Sequence, residues 1–343
     1  MRRFLPVLLL LVCVPSADVA ANGARPDHVV LVIFGGGVRA KDLLDPDRMP
    51  TIAAMVKAGR VVDAVRTDAA HAYDGAGRIL TGRSDSIPGP ATHPTAPTLM
   101  EYVRVGRALP REKVWFVSYD GEDQLDLAVS TDPGHGAVVG PSIATGMGAF
   151  GEPLAAFLER TGRPDPVPES AWPHQRRLRG LNRSVVELAL PSSGVEVGTA
   201  RAERVERALL EEIDRRSLLV RGPNPRDERA WRAARTVVRV HRPVLTVIRL
   251  GEAERASGSV RDYERVLAAN DGGLARLRAT IAADDVLRDR TLLCVVADMG
   301  RNAEPNARGG LDANDDSKDH REVVFVAEGP GFRRKRGRLK GPR

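Results

Sequence analysis

At 343 residues and only 4% aromatic content, the chain is long enough to bury a full, mostly aliphatic core, in one large α/β domain or two smaller ones. The formal net charge of +7 does not describe the whole surface. Seven positive side chains and no acid lie between Arg333 and Arg343, so the remainder is close to neutral. This tail has no aromatic residues between its charges and carries no specific nucleic-acid motif, although it can contact anionic surfaces.

Arg2 and Arg3 precede the apolar stretch FLPVLLLLVCV, and small residues follow to Ala20 and Ala21. A charged start, an apolar run too short for a good transmembrane helix, and a Val19-x-Ala21 pattern predict a signal peptide over residues 1–21. Export to the periplasm or beyond follows, with a retained membrane anchor as the weaker alternative. After cleavage Cys294 is the one cysteine left, so stability must come from the core rather than from a disulfide.

Val29–Phe34 reads as a buried strand ended by Gly35-Gly36-Gly37. Pro50–Gly59 has helical spacing, with Ile52, Met55 and Val56 on one face and Gly59 as a stop. Arg60–Val65 predicts a short strand, Asp74–Leu80 a helix ending at Thr81-Gly82, Thr98–Ala108 a helix and Lys113–Ser118 a strand. The text from Gly134 to Pro173 is loop-like, with one helix expected at Pro153–Arg160. Ala200–Arg216 has the pattern of an amphipathic helix, because Val205, Leu209 and Ile213 recur every four residues. Glu228–Val240 predicts a helix leading into a buried strand, Val244–Leu250. Val260–Leu287 predicts a long helix broken or kinked near Gly272-Gly273.

The most informative stretch is Thr291–Gly300, TLLCVVADMG. Leu292–Val296 suits a strand buried on both faces of a parallel sheet, and Asp298 lies just past its carboxyl end, where open α/β sheets place ligands. The alternative is that Asp298 only caps a turn. Asp312, Asp315, Asp316, Asp319 and His320 follow before a last strand, Glu322–Ala327. This acidic cluster could bind calcium, but its spacing does not match an EF-hand, and a solvated loop is the favoured reading. Strands alternating with helices predict a mostly parallel sheet with helices on both faces. Heptads, CxxC pairs, a P-loop and a serine nucleophile elbow are all missing from the sequence.

Six pieces in order resemble the alkaline phosphatase and sulfatase superfamily: Gly37-Val38-Arg39, Pro50–Gly59, Leu80-Thr81-Gly82-Arg83, a helix with Tyr263 and Asp271, Thr291–Gly300, and His320 before Gly329-Pro330-Gly331. The resemblance covers about Asp27–Tyr102 and Val237–Phe332. It implies an alkaline phosphatase-like three-layer α/β sandwich: one domain over 22–332 with a divergent insertion around 120–235, then a basic disordered tail over 333–343. It also implies metal-dependent hydrolysis of phosphate or sulfate esters, in which metal ions neutralise the attacked group and activate a nucleophile.

Carried over residue by residue, the resemblance puts Gly36 at the first acid, Ala72 at the nucleophile, Glu254 and Ser257 at an Asp-x-x-His pair, and Asp298 and Met299 at an Asp-His pair. Asp298 and His320 alone match. A remnant site of Asp298 and His320 with His71 and Asp74 could hold one zinc or manganese ion. The favoured alternative is that His71 and Asp74 cap the helix that starts there. Tyr73 and Thr67 are weak candidates for a nucleophile. The function read from these losses is an exported sulfatase- or phosphatase-like protein without the standard two-metal site, a pseudoenzyme or a binding scaffold for an unknown small molecule. The alternative is an active metal-dependent ester hydrolase with a rebuilt site.

Overall fold

The computed structural model describes residues 25–85, 87, 92–118, 126–144, 225–332 and 339–340. Its strands are β1 (His28–Phe34), β2 (Arg60–Arg66), β3 (Val114–Ser118), β4 (Ser142–Ala144), β5 (Leu245–Arg249), β6 (Thr291–Ala297), β7 (Glu322–Glu328) and β8 (Leu339–Lys340). The longer helices are α1 (Pro50–Ala58), α2 (Ala72–Thr81), α3 (Leu99–Gly106), α4 (Pro225–His241) and α5 (Val260–Ala282). The strands form one sheet in the order β4-β3-β5-β1-β6-β7-β2-β8. Pairing is parallel throughout except at β7, which runs against both β6 and β2.

The unbroken apolar runs lie in the middle of this sheet because both of their faces are covered. Val30, Val32, Phe34 and Val295 point to one face and pack with Ile52 and Met55 of α1, Trp231 of α4, and Tyr263 and Leu274 of α5. Leu31, Ile33 and Cys294 point to the other face and meet Tyr73 and Leu80 of α2 and Met100 and Val103 of α3. Burying each large apolar side chain contributes roughly 1.5–3 kcal/mol of transfer free energy. The sequence therefore reads the architecture correctly: a mostly parallel sheet with helices on both faces.

Polar groups fix how the helices dock. Met49 provides no side-chain cap for α1. Instead the Asp271 carboxylate, on α5, accepts from the Thr51 and Ile52 amides at 3.0–3.2 Å and sets a negative charge at the helix start. Tyr263, one turn into α5, donates to Asp42 Oδ2 at 2.9 Å. Both residues of the resemblance helix are therefore structural fasteners.

One expectation changes. The break near Gly272-Gly273 does not occur, because α5 is continuous to Ala282. Gly273 is there for Trp231: a Cβ would fall 2.3 Å from its indole nitrogen, which donates to Asn270 Oδ1 at 3.0 Å. Helix α4 packs into the core, with Ala230, Trp231 and Ala234 fully buried. Leu339–Lys340 pair parallel with β2. The helices expected at 153–160 and 200–216 lie outside the described residues.

Candidate functional site

Parallel β1, β5 and β6 bring Phe34, Arg249 and Ala297 to one edge of the sheet. Because β7 is reversed, His320, which precedes it, arrives at the same edge. Asp298 is anchored there. Its amide donates to the Phe34 carbonyl at 3.1 Å, and its carboxylate accepts from the Gly36 amide (Oδ2) and the Gly37 amide (Oδ1), each at 3.0 Å. Two successive amides can converge on one carboxylate because Gly36 and Gly37 adopt φ of +88° and +81°, a region that side chains disfavour. Gly35 has no room for a side chain either, since a Cβ would stand 2.1 Å from the Leu250 carbonyl oxygen.

Asp298 is buried, and burial pushes its carboxyl up to about 6, against the opposing pull of Arg249, the two amides and Arg301. At neutral pH it is a carboxylate held by main chain, with Arg249 Nη2 at 3.5 Å as its nearest ion-pair partner.

Arg301 fills the space beside it. Its Nη1 donates to Ser257 Oγ at 2.7 Å and to the Leu311 carbonyl at 2.8 Å. Its Nη2 donates to the carbonyls of Gly36 and Ala253, and its Nε to that of Gly37 at 3.4 Å. One guanidinium thus joins the loop after β1, the turn after β5 and the loop before β7. Two of its acceptors, Gly36 and Ser257, occupy positions where the resemblance implies metal ligands.

The residues expected as ligands are placed as follows. His320 is buried, its Nδ1 accepts from the Asp316 amide at 3.3 Å, and burial with help from Arg321 lowers its pKa despite Asp315 and Asp316. His71 is the N-cap of α2, its Nδ1 accepting from the Asp74 amide at 3.1 Å. Asp74 accepts from the Ala70 amide at 3.1 Å and pairs with Arg78 Nε at 2.9 Å. The first turn of α2 does lie against Asp298, for a Cβ on Gly75 would stand 2.0 Å from the Asp298 carbonyl oxygen. Sequence reasoning therefore brings the right segments together, but their side chains serve local structure. Among the described residues no group of three or more His, Cys, Asp or Glu side chains is placed to hold a metal ion. The donor set does not fit the implied zinc or manganese.

A nucleophile is also missing at the expected place, where Ala72 stands. Tyr73 donates to the Thr92 carbonyl at 2.7 Å, and Thr67 Oγ1 accepts from the Ala69 amide at 3.2 Å. The acids between Asp312 and Asp319 are tied individually: Asp312 to Asn306, Asp315 to the Ala303 and Ser317 amides, Asp316 to Arg321 and Asp319 to Lys41. A cavity of about 560 Å³ lies at the opposite end of β6, lined by Thr291, Leu293, Arg278, Arg288 and Glu328, and takes no part in this edge.

Two residues central to the edge, Arg249 and Arg301, are not read out as functional from the sequence. The one signal is that Arg249 interrupts the apolar run LTVIRL at its end.

No protein-family model and no curated protein matches the chain. Solved structures do. A 2-O GAG sulfatase superposes with a TM-score of 0.54 at 8% identity, over 93% of this chain and 68% of that one. A putative sulfatase from Bacteroides thetaiotaomicron gives 0.49 at 9% identity, over 93% and 68%. An alkaline phosphatase superfamily protein from Vibrio parahaemolyticus gives 0.45 at 9% identity, over 94% of this chain and 64% of that one, so the chain spans just under two thirds of its length. Sheet order, the reversed β7 and the superposition on the GAG sulfatase together establish that the chain has the alkaline phosphatase–sulfatase fold.

Proposed function

We propose that this protein keeps a sulfatase-type fold without the two-metal ester hydrolase site, and that it works as an exported binding or scaffold protein. The observation that carries this reading is the Arg301 guanidinium at the carbonyls of Gly36 and Gly37 and at Ser257 Oγ. A permanent positive charge there opposes a dication. At about 4 Å and an effective dielectric near 20 the repulsion is about 8 kcal/mol, as large as the attraction one carboxylate would supply at the same distance, so the guanidinium cancels much of what Asp298 offers a dication. The missing hydroxyl at Ala72 points the same way. Losing even one electrostatic donor from such a site costs roughly 100- to 1000-fold in rate.

No helix among the described residues is long and apolar enough to cross a membrane. Export rests on the pattern of residues 1–21, and the basic stretch from Arg333 to Arg343 is the proposed contact with anionic surfaces.

The test measures bound metal in the full chain after exposure to zinc, manganese and magnesium, together with turnover of nitrophenyl phosphate and nitrophenyl sulfate. We expect neither stoichiometric metal nor turnover, and Asp298→Ala or His320→Ala should change neither. Metal-dependent turnover that both substitutions abolish would overturn the proposal and establish a hydrolase with a rebuilt site.

A further inference from the structure

Among the described residues, every larger apolar side chain that is exposed, apart from Val286, lies at one corner of the molecule. Tyr102 and Val105, 45% and 51% exposed, are one turn apart on the outer face of α3, whose inner face buries Leu99, Met100 and Val103. Val138, 89% exposed, is on the short helix Gly136–Val139. Two contacts hold this helix to α3. The His135 ring meets the Tyr102 ring edge-on with centroids 5.3 Å apart, and Arg104 Nη1 donates to the Gly140 carbonyl at 2.6 Å. Single exposed apolar side chains are ordinary, but a group of them on a fixed framework marks an interaction surface.

Three side chains fall far short of the roughly 20–30 residues a side that hold two separate molecules together. The partner is therefore sought in the chain itself. β4 follows the short helix directly and is the outermost strand on this side of the sheet. The described structure resumes at Pro225 with α4, which packs against β3 and β4. Residues 145–224 thus leave from, and return to, the sheet edge that carries the patch. Within them Val205, Leu209 and Ile213 recur every four residues, with Glu206, Arg207, Glu211 and Glu212 between. A tethered segment meets such a patch at an effective concentration on the order of millimolar, where a few side-chain contacts suffice.

We propose that Tyr102, Val105 and Val138 form the docking surface for residues 200–216 of the same chain, with Val205, Leu209 and Ile213 laid against them. Residues 217–224 can span about 30 Å when extended, enough to pass round one edge of the sheet to α4. The docking stands apart from the Arg301 cluster and does not depend on whether hydrolysis has been lost.

The experiment uses the full chain carrying Cys13→Ser. Cys294 is buried, and burial pushes its thiol up to about 12, so engineered thiols react alone. Val105→Cys with Leu209→Cys, treated with a short bis-maleimide, should give an internally linked monomer, identified by mass spectrometry of the joined peptides. Adding Val138→Asp, at a side chain too exposed to affect folding, should slow the linking roughly tenfold, the loss of one buried valine contact. Ala279→Cys with Leu209→Cys, which moves one thiol to the cavity beside β6, should not link. A linked dimer from Val105→Cys alone would give the patch to a second copy and overturn the proposal. So would failure of Val105→Cys to link internally to Leu209→Cys, linking that Val138→Asp leaves unchanged, or equal linking at Ala279→Cys.

Discussion

Arg301 donates from Nη1 to Ser257 Oγ at 2.7 Å, tying the loop after β6 to the turn after β5. Ser257 stands at a position where the resemblance implies a metal ligand. Where an ion would draw ligands inward, a guanidinium with donors in a fixed plane binds acceptors by direction as well as by charge.

Removing that guanidinium should therefore loosen several loops at once. Arg301→Met is expected to cost about 3–5 kcal/mol, because it leaves buried carbonyls unpaired and Asp298 with one cation fewer. Denaturant titration of the folded chain measures this. Chelators should leave the wild-type midpoint unchanged.

Stability should fall as pH rises from about 4 to about 6. The Asp298 carboxyl titrates near 6 in the folded chain, above its ordinary value of 3.8. Over that window the unfolded chain releases a proton that the native state still holds, so deprotonation favours unfolding. A difference of about two units corresponds to about 3 kcal/mol, fully lost above pH 6. Asp227 and Glu252, also raised by burial, act with the same sign. Asp298→Asn should remove its own share of the slope, read from denaturation midpoints across the pH series.

His71 should behave as a cap. His71→Ala is expected to cost about 1 kcal/mol through the first turn of α2 and to leave metal content as it was. His71→Asn should restore most of the loss, since asparagine caps well and makes a poor zinc ligand.

Two glycines in helices should respond oppositely to alanine. Gly75→Ala puts a methyl group 2.0 Å from the Asp298 carbonyl oxygen and should destabilise by about 1–3 kcal/mol. At Gly272 the nearest atom to an added Cβ is the flexible end of Arg276 at 3.6 Å, so Gly272→Ala should stabilise by about 0.5–1 kcal/mol. Thermal melting of both variants checks the contrast.

The sheet is legible in the sequence because buried strands declare themselves as unbroken apolar runs, and Asp298 because a carboxylate at the end of such a run has few reasons to be there. The two arginines are not legible. Arg301 acts through main-chain carbonyls of residues remote in sequence, which any residue could provide, and Arg249 looks like an ordinary strand end until its neighbours are known. Asp271 is a third case: its carboxylate caps α1 across the fold, and local pattern rules look for a cap next to the helix it serves. His71 and Asp74 are read in both ways open to them, and the His71 ring takes the N-cap of α2.

The position of β1 bears on how the chain reaches its fold. Its residues come early in the sequence, yet both its edges are occupied by strands from the last third: Val29 lies between Leu245 and Leu292. Until those strands exist, VVLVIF has two open edges and no sheet to join. The pairings are among the most distant in the chain, a topology that slows folding and leaves exposed strands open to self-association. Strand β1 therefore cannot take its place in the sheet until the last third of the chain has left the ribosome.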